Sequence, residues 1–243
     1  KAVLLGNAAA HHAQASQLLA LANWIAENTG ASVGYLTEAA NTVGAQFAGA
    51  HPVSGGLNAA QMLSGGLKAA VLLNTEPVHD SAAGAQAATA LAGAEMVVTL
   101  SPFKANMEFS DVLLPIAPFT ETSGSFVNAE GRLQSFHAVV RPLGDTRPAW
   151  KVLRVLANLL GVPGFDFETS QDVLARATNA PAGTVTQVPA AQLSNAVKTA
   201  PAATAAAGEP VVASIYQLDG LVRRSTSLQL TADARMAREG VAA

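Results

Sequence analysis

The sequence contains no cysteine. That excludes disulfides, cysteine-ligated iron–sulfur clusters, cysteine-bound zinc and thiol catalysis from this stretch of chain. Aromatic residues make up only 5% and charged residues only 13%. No basic stripe accompanies the net charge of −3, so nucleic acid is not an expected partner. No apolar run approaches the roughly 18 residues that span a bilayer, so no direct membrane insertion is expected. No signal peptide is visible. The 50% hydrophobic content is largely alanine, and 243 residues can bury a core without a disulfide or metal staple. A surface so poorly charged suits a subunit covered by partners, although GC-rich coding gives the same alanine excess. The chain opens at Lys1 without Met and enters an apolar run at once, which reads as a piece of a longer protein.

What the sequence does contain is strand–helix alternation. Short apolar runs at 2–5, 32–36, 69–73, 96–100 and 111–115 read as buried strands. Between them, helices are expected at 13–28 (apolar face Leu18, Leu21, Ala22 and Ile25, stopped by Gly30), at 59–63 (capped by Asn58) and from a Ser81 cap to Leu91. One helical turn is expected at 106–109. The fold class is therefore α/β, a doubly wound, mostly parallel sheet. Beyond residue 136 the chain turns helical, at 150–160 with Pro148 at its start and Gly161 at its end, and at 171–178 behind a Ser170 cap. We divide it into an α/β domain at 1–145, a helical extension at 146–180, a flexible Ala/Pro-rich linker at 181–210 and a C-terminal docking segment at 211–243. In that segment Arg223 and Arg224 are expected to reach carboxylates or backbone carbonyls.

The densest polar chemistry lies at 110–136, SDVLLPIAPFTETSGSFVNAEGRLQSF. It follows a strand's C-terminal end, where open α/β sheets place ligands. Gly124 is expected in a left-handed conformation. Asn128 and Gly131 supply the chemistry of a tight turn, and Glu130 and Arg132 share a strand face and could pair. Either this is a ligand loop or it is a well-satisfied loop that fixes the chain path. Thr75 and Glu76 after the third strand pose the same choice. Catalytic signatures are absent: no G-x-S-x-G elbow, no phosphate-binding glycine loop, no paired-histidine metal spacing. Gly6 stands alone, and the adjacent His11 and His12 would point about 100° apart on a helix, a poor chelate. Glu121 and Glu130 lack the aromatic cleft of a glycosidase pair. No catalytic residue and no metal ligand are therefore expected.

The run from Ser110 to Pro115, with Glu121, Gly124, Phe126, Asn128, Glu130, Gly131, Arg132 and Gln134, resembles the molybdopterin oxidoreductase superfamily. Its nearest likeness is the large iron–sulfur subunit of bacterial proton-pumping NADH:quinone oxidoreductase, respiratory complex I. Leu5-Gly6-Asn7, the Asn41 to Ala45 run, Phe103-Lys104 and the tail around 215–231 extend the likeness over nearly the whole chain. The resemblance implies a part of that subunit which keeps the fold of molybdenum enzymes and serves as non-catalytic scaffold in an assembly passing electrons from NADH to quinone. It implies no cofactor in this stretch, with [4Fe-4S] and [2Fe-2S] clusters in a part of the subunit upstream. It implies other peripheral-arm subunits as partners, at the cytoplasmic face of the bacterial inner membrane. Glu121, Gly124, Asn128, Glu130, Gly131 and Arg132 would then be an inherited cofactor-site motif kept for architecture. The alternative is a fragment of an active, formate dehydrogenase-like enzyme using molybdopterin guanine dinucleotide.

Overall fold

The structure, a computed structural model, describes residues 1–197, 199–202 and 213–238. In chain order its elements are β1 (Ala2–Leu5), α1 (Asn7–Ala10), α2 (Ala15–Thr29), β2 (Ser32–Tyr35), α3 (Thr42–Phe47), α4 (Ala59–Met62) and β3 (Ala69–Leu73). Then come α5 (Pro77–Asp80), α6 (Ala85–Ala92), β4 (Met96–Ser101), β5 (Val112–Pro115), β6 (Gly124–Val127), β7 (Leu133–Phe136), α7 (Ala149–Leu159) and α8 (Ser170–Thr178). The chain ends in four short helices, α9 (Ile215–Leu218), α10 (Gly220–Arg224), α11 (Thr226–Gln229) and α12 (Ala232–Arg238). This is the α/β architecture with parallel strands that the alternation predicts. Contacts divide it into two units, one of Lys1–Leu36, Pro77–Gly84 and Asn195–Ala243, the other of Thr37–Glu76 and Ala85–Ser194.

In the first unit β1 and β2 pair in parallel, from Ala2 against Ser32 to Leu5 against Tyr35, with α2 as the crossover. Gly30 ends α2 at φ 67, a left-handed cap that costs glycine little. Ala22 is buried on α2, whereas Leu21, expected on the same face, is 45% exposed. The buried stripe follows i, i+4, i+7 through Leu18, Ala22 and Ile25, and Leu21 lies off it. The expected Ser81 cap does not form. The Ser81 hydroxyl donates to Pro77 O (2.6 Å) at the end of α5, and α6 starts later, at Ala85. The C-terminal helices belong to this unit. Arg223 reaches Asp80 at 3.6 Å and the carbonyls of Gln217 and Leu218, while Arg224 donates to Gly220 O (3.1 Å). Asn195 and Ala202 are bonded to this unit as well: the Asn23 amide donates to Asn195 O, the Asn195 amide to Val33 O, and Ala202 N to Gln17 Oε1. Residues 203–212 of the expected linker and docking segment, and 239–243, lie outside the described residues.

The second unit is built on a parallel sheet in the order β3-β4-β5. The central strand β4 is paired on both edges, which explains its unbroken MVVTLS run: Val97 and Leu100 are fully buried. Asp111 fastens β5 to β4 at their start, accepting from Val97 N (2.7 Å) while its own N–H donates to Val97 O. Residues 106–109 form a turn rather than helix, because Asn106 adopts φ 59. The helix α7 begins one residue after Pro148. Its C-terminus is a left-handed Gly161 turn in which Gly161 N donates to Asn158 O and Val162 N to Ala157 O. The antiparallel hairpin β6–β7 ends at Phe136. Its inner side chains Val127 and Leu133 join Val188 in a core cluster flanked by Val43, Phe47, Leu174, Val185 and Leu193. Val188, which is 1% exposed, packs on the apolar face of the hairpin and donates its N–H to Gly131 O, while Leu133 N donates to Thr186 O.

Ser170 is not the cap of α8; Thr169 is. It forms a capping box in which the Asp172 carboxylate accepts from the backbone N–H groups of Thr169 and Glu168. These bonds, Thr169 first, hold the Asp172 pKa below its ordinary value. A depressed carboxylate pKa adds stability above the unfolded value of about 3.9, and that increment is lost as pH falls through the folded value. Hydrogen-exchange protection at the start of α8, taken relative to the intrinsic amide rate at each pH, is therefore expected to fall with acid at a higher pH than protection at α7, which has no such box. Identical acid profiles for the two helices would contradict this.

Candidate functional site

The C-terminal edge of the β3-β4-β5 sheet is where the sequence places its polar loops. It is also where the buried polar residues Thr99, Ser101 and Asn106 lie. Asn74 leaves β3 at φ 48 and donates its N–H to Leu100 O (2.8 Å), which turns the chain across the top of β4. The Asn106 amide donates to Thr75 O (3.0 Å) and reaches Thr99 Oγ1 (3.4 Å). Thr99 Oγ1 shares a 2.7 Å hydrogen bond with Ser110 Oγ, and Ser101 Oγ accepts from Phe103 N. One network thus joins the loops that leave β3 and β4 to the loop that enters β5. The sequence reading missed it. Its one local signal is Thr99, a polar residue inside the apolar run of β4.

The motif at 121–132 is gathered, but mostly by its backbone. Glu121 Oε2 accepts from Leu143 N (3.0 Å). Ser123 Oγ accepts from Ala138 N, and Ser125 bonds Ser135 across the hairpin. Asn128 Oδ1 accepts from both Glu130 N (3.0 Å) and Arg132 N (2.9 Å), so its side chain closes the hairpin turn. Gly131 sits at φ 82 with its carbonyl accepting from Val188 N. Gly124 departs from expectation. It is the first residue of β6, not a left-handed position, and the space it saves is needed: a Cβ there would lie 2.7 Å from the Phe136 ring. That ring packs edge-on against Phe126 at 5.1 Å.

Glu130 and Arg132 also differ from expectation. Both are exposed, and among the described residues no ion pair joins them. What matters at Glu130 is its carbonyl, which accepts from Gln187 Nε2 (2.6 Å). A second contributor unassigned from sequence is Asn41. Its Oδ1 accepts from the buried Val127 N (2.8 Å), and it folds over Gly44 so closely that a Cβ there would lie 1.9 Å from that oxygen. The Asn41-x-x-Gly44 spacing is the signal for it. On α1 and its exit, His12 Nδ1 accepts from Gln14 N (2.9 Å), a local turn bond rather than a metal role. Among the described residues no group of three metal-ligating side chains converges, and no helix is long and apolar enough to cross a membrane.

With fold and site described, the class is defined by comparison. The profile of the molybdopterin oxidoreductase family matches residues 1–159, and the chain belongs to that family. It is similar to the probable oxidoreductase YjgC of Bacillus subtilis, 40% identical over 70 residues, which cover 29% of this chain and 7% of that protein. It is similar also to a putative formate dehydrogenase of Staphylococcus aureus, 43% identical over 53 residues, which cover 22% of this chain and 5% of that protein. The matched stretches are thus a small part of those relatives.

The family name implies a pterin cofactor, whose phosphates and ring edges call for free donors and cations in the loops at a sheet's C-terminal edge. Several polar side chains of the motif are already engaged. Asn41, Glu121, Ser123, Ser125 and Asn128 all bond within the motif and its flanks. Among the described residues no buried side-chain nitrogen or oxygen lacks a partner. These side chains of the motif are engaged within the protein.

Proposed function

We propose that the chain is a non-catalytic scaffold segment of a redox enzyme, namely the cofactor-free, molybdenum-enzyme-like part of the large iron–sulfur subunit of NADH:quinone oxidoreductase. The enzyme would carry electrons from NADH to quinone through [4Fe-4S] and [2Fe-2S] clusters held elsewhere in the subunit. This segment would supply packing for neighbouring peripheral-arm subunits at the cytoplasmic face of the inner membrane. The observation that supports the reading is the self-satisfied motif: Asn128, the residue best placed to read a ligand, gives its carbonyl oxygen to two N–H groups of its own turn.

A second reading draws on the likeness to a putative formate dehydrogenase. In it the chain is a fragment of an active molybdopterin guanine dinucleotide enzyme, and the loops open to receive the cofactor. Metal analysis of the full-length protein purified from its source separates the two. The scaffold reading expects iron, NADH:quinone turnover in the assembled complex, and no stoichiometric molybdenum or tungsten. Molybdenum or tungsten at one per chain, together with formate oxidation, would overturn it in favour of the second.

A further inference from the structure

The helix α7 presents two apolar faces, and its own unit uses one of them. Ala157 is buried and Val152, Leu153 and Leu156 are half-buried, which accounts for one side. On the other side Lys151, Val155 and Leu159 follow i, i+4, i+8, a single exposed stripe. Val155 is 51% exposed, Leu159 81% and the adjacent Leu160 70%. A surface helix needs only one apolar face to hold its place, and large apolar side chains aligned in water mark a contact surface.

The charge beside this stripe is net positive. The helix α7 carries no acidic residue; Lys151 heads the stripe, while the Arg154 guanidinium donates to Phe167 O. At its N-terminal end a cleft of about 570 Å³ is lined by Arg141, Arg147, Lys151 and Trp150. Two carboxylates, Glu121 and Glu168, also line it, and Glu121 is engaged by Leu143 N. Lys151 lies 5.3 Å from the Trp150 ring centroid, so the top of the stripe and the wall of the cleft are the same side chain. An occupant that covers Val155 and Leu159 must therefore bring negative charge to Arg141, Arg147 and Lys151.

We infer that this face docks an amphipathic helix of a partner protein, apolar along one side and acidic at the end that meets the cleft. The inference goes beyond the scaffold reading and does not depend on which metal the full-length protein holds. The test uses the full chain and two synthetic helical peptides with the same leucine stripe, one ending in glutamates and one ending in lysines, followed by fluorescence anisotropy. The glutamate peptide is expected to bind and the lysine peptide to bind at least about tenfold more weakly. Leu159→Glu should abolish binding without changing the circular dichroism spectrum, because the side chain is exposed. Lys151→Glu with Arg147→Glu should reverse the preference between the peptides. Absence of binding, equal binding of both peptides, or binding that ignores Leu159→Glu would overturn the proposal. So would sedimentation showing a dimer that Leu159→Glu dissolves, since a second copy would then be the occupant.

Discussion

Replacing Gly131 with alanine is expected to destabilise the second unit by about 2–5 kcal/mol, the sum of left-handed backbone strain and overpacking. The residue sits at φ 82, where an L side chain costs free energy even in empty space. Here the space is not empty. A Cβ would lie 2.6 Å from Leu193 Cδ1 and 2.8 Å from Gln187 Nε2. Gln187 would have to give up its bond to Glu130 O, and Leu193 its place against Val127, Leu133 and Val188. Gly144→Ala is the internal control. Its φ is 56 and nothing lies within 4 Å of the added Cβ, so only the backbone strain of roughly 1–2 kcal/mol applies. Denaturant titration of the two variants separates the parts. Equal losses would mean that the 184–193 segment yields freely and that the hairpin is not its anchor. If Gly131→Ala leaves stability intact but abolishes turnover of the full-length enzyme, the motif is a working site and the scaffold reading fails.

The parts of the fold legible in the sequence are those decided within a few residues. Gly161 reads as the end of α7 because the left-handed cap is local chemistry, and Asn58 reads as a cap because Gln61 completes its box within one turn. The apolar run of β4 is legible because a strand covered on both faces needs no alternation, whereas β3 and β5, with Val71, Leu73 and Val112 exposed, are legible only as short apolar runs. Misreadings arise where the deciding neighbour is distant or where two local options compete. Ser81 and Ser170 both stand where a cap belongs. The Ser81 hydroxyl bonds back to Pro77, and Thr169 takes the cap of α8 one residue earlier. Gly124 is glycine for the sake of the Phe136 ring, which only the hairpin register brings opposite it. The motif residues were legible as a group, and Asn128 as a turn residue, whose side chain accepts from Glu130 N and Arg132 N. The contribution of Asn41 was not, because its partner Val127 lies far along the chain.

Asn106→Ala is expected to cost about 2–4 kcal/mol, nearly as much as the glycine change, for a different reason: it removes buried hydrogen bonds and leaves alanine in a left-handed conformation. Asn106 is 8% exposed and its amide is shared between Thr75 O and Thr99 Oγ1. Without it the 3.0 Å bond to Thr75 O is lost, and the hydroxyl of Thr99, which is fully buried in the central strand, keeps its bond to Ser110. Alanine must also adopt φ 59, which asparagine tolerates far better. Thr99→Val separates the network from the backbone. It removes the Ser110 bond and the longer 3.4 Å contact without altering the turn, so its loss should be smaller, about 1–2 kcal/mol. The double variant should fall short of the sum, because the two side chains share one network. Strict additivity would mean that Thr99 and Asn106 act separately, and that the loops at the top of β3 and β4 are held independently. The coupling measured between Asn106 and Thr99 therefore gauges how firmly this edge of the sheet is closed.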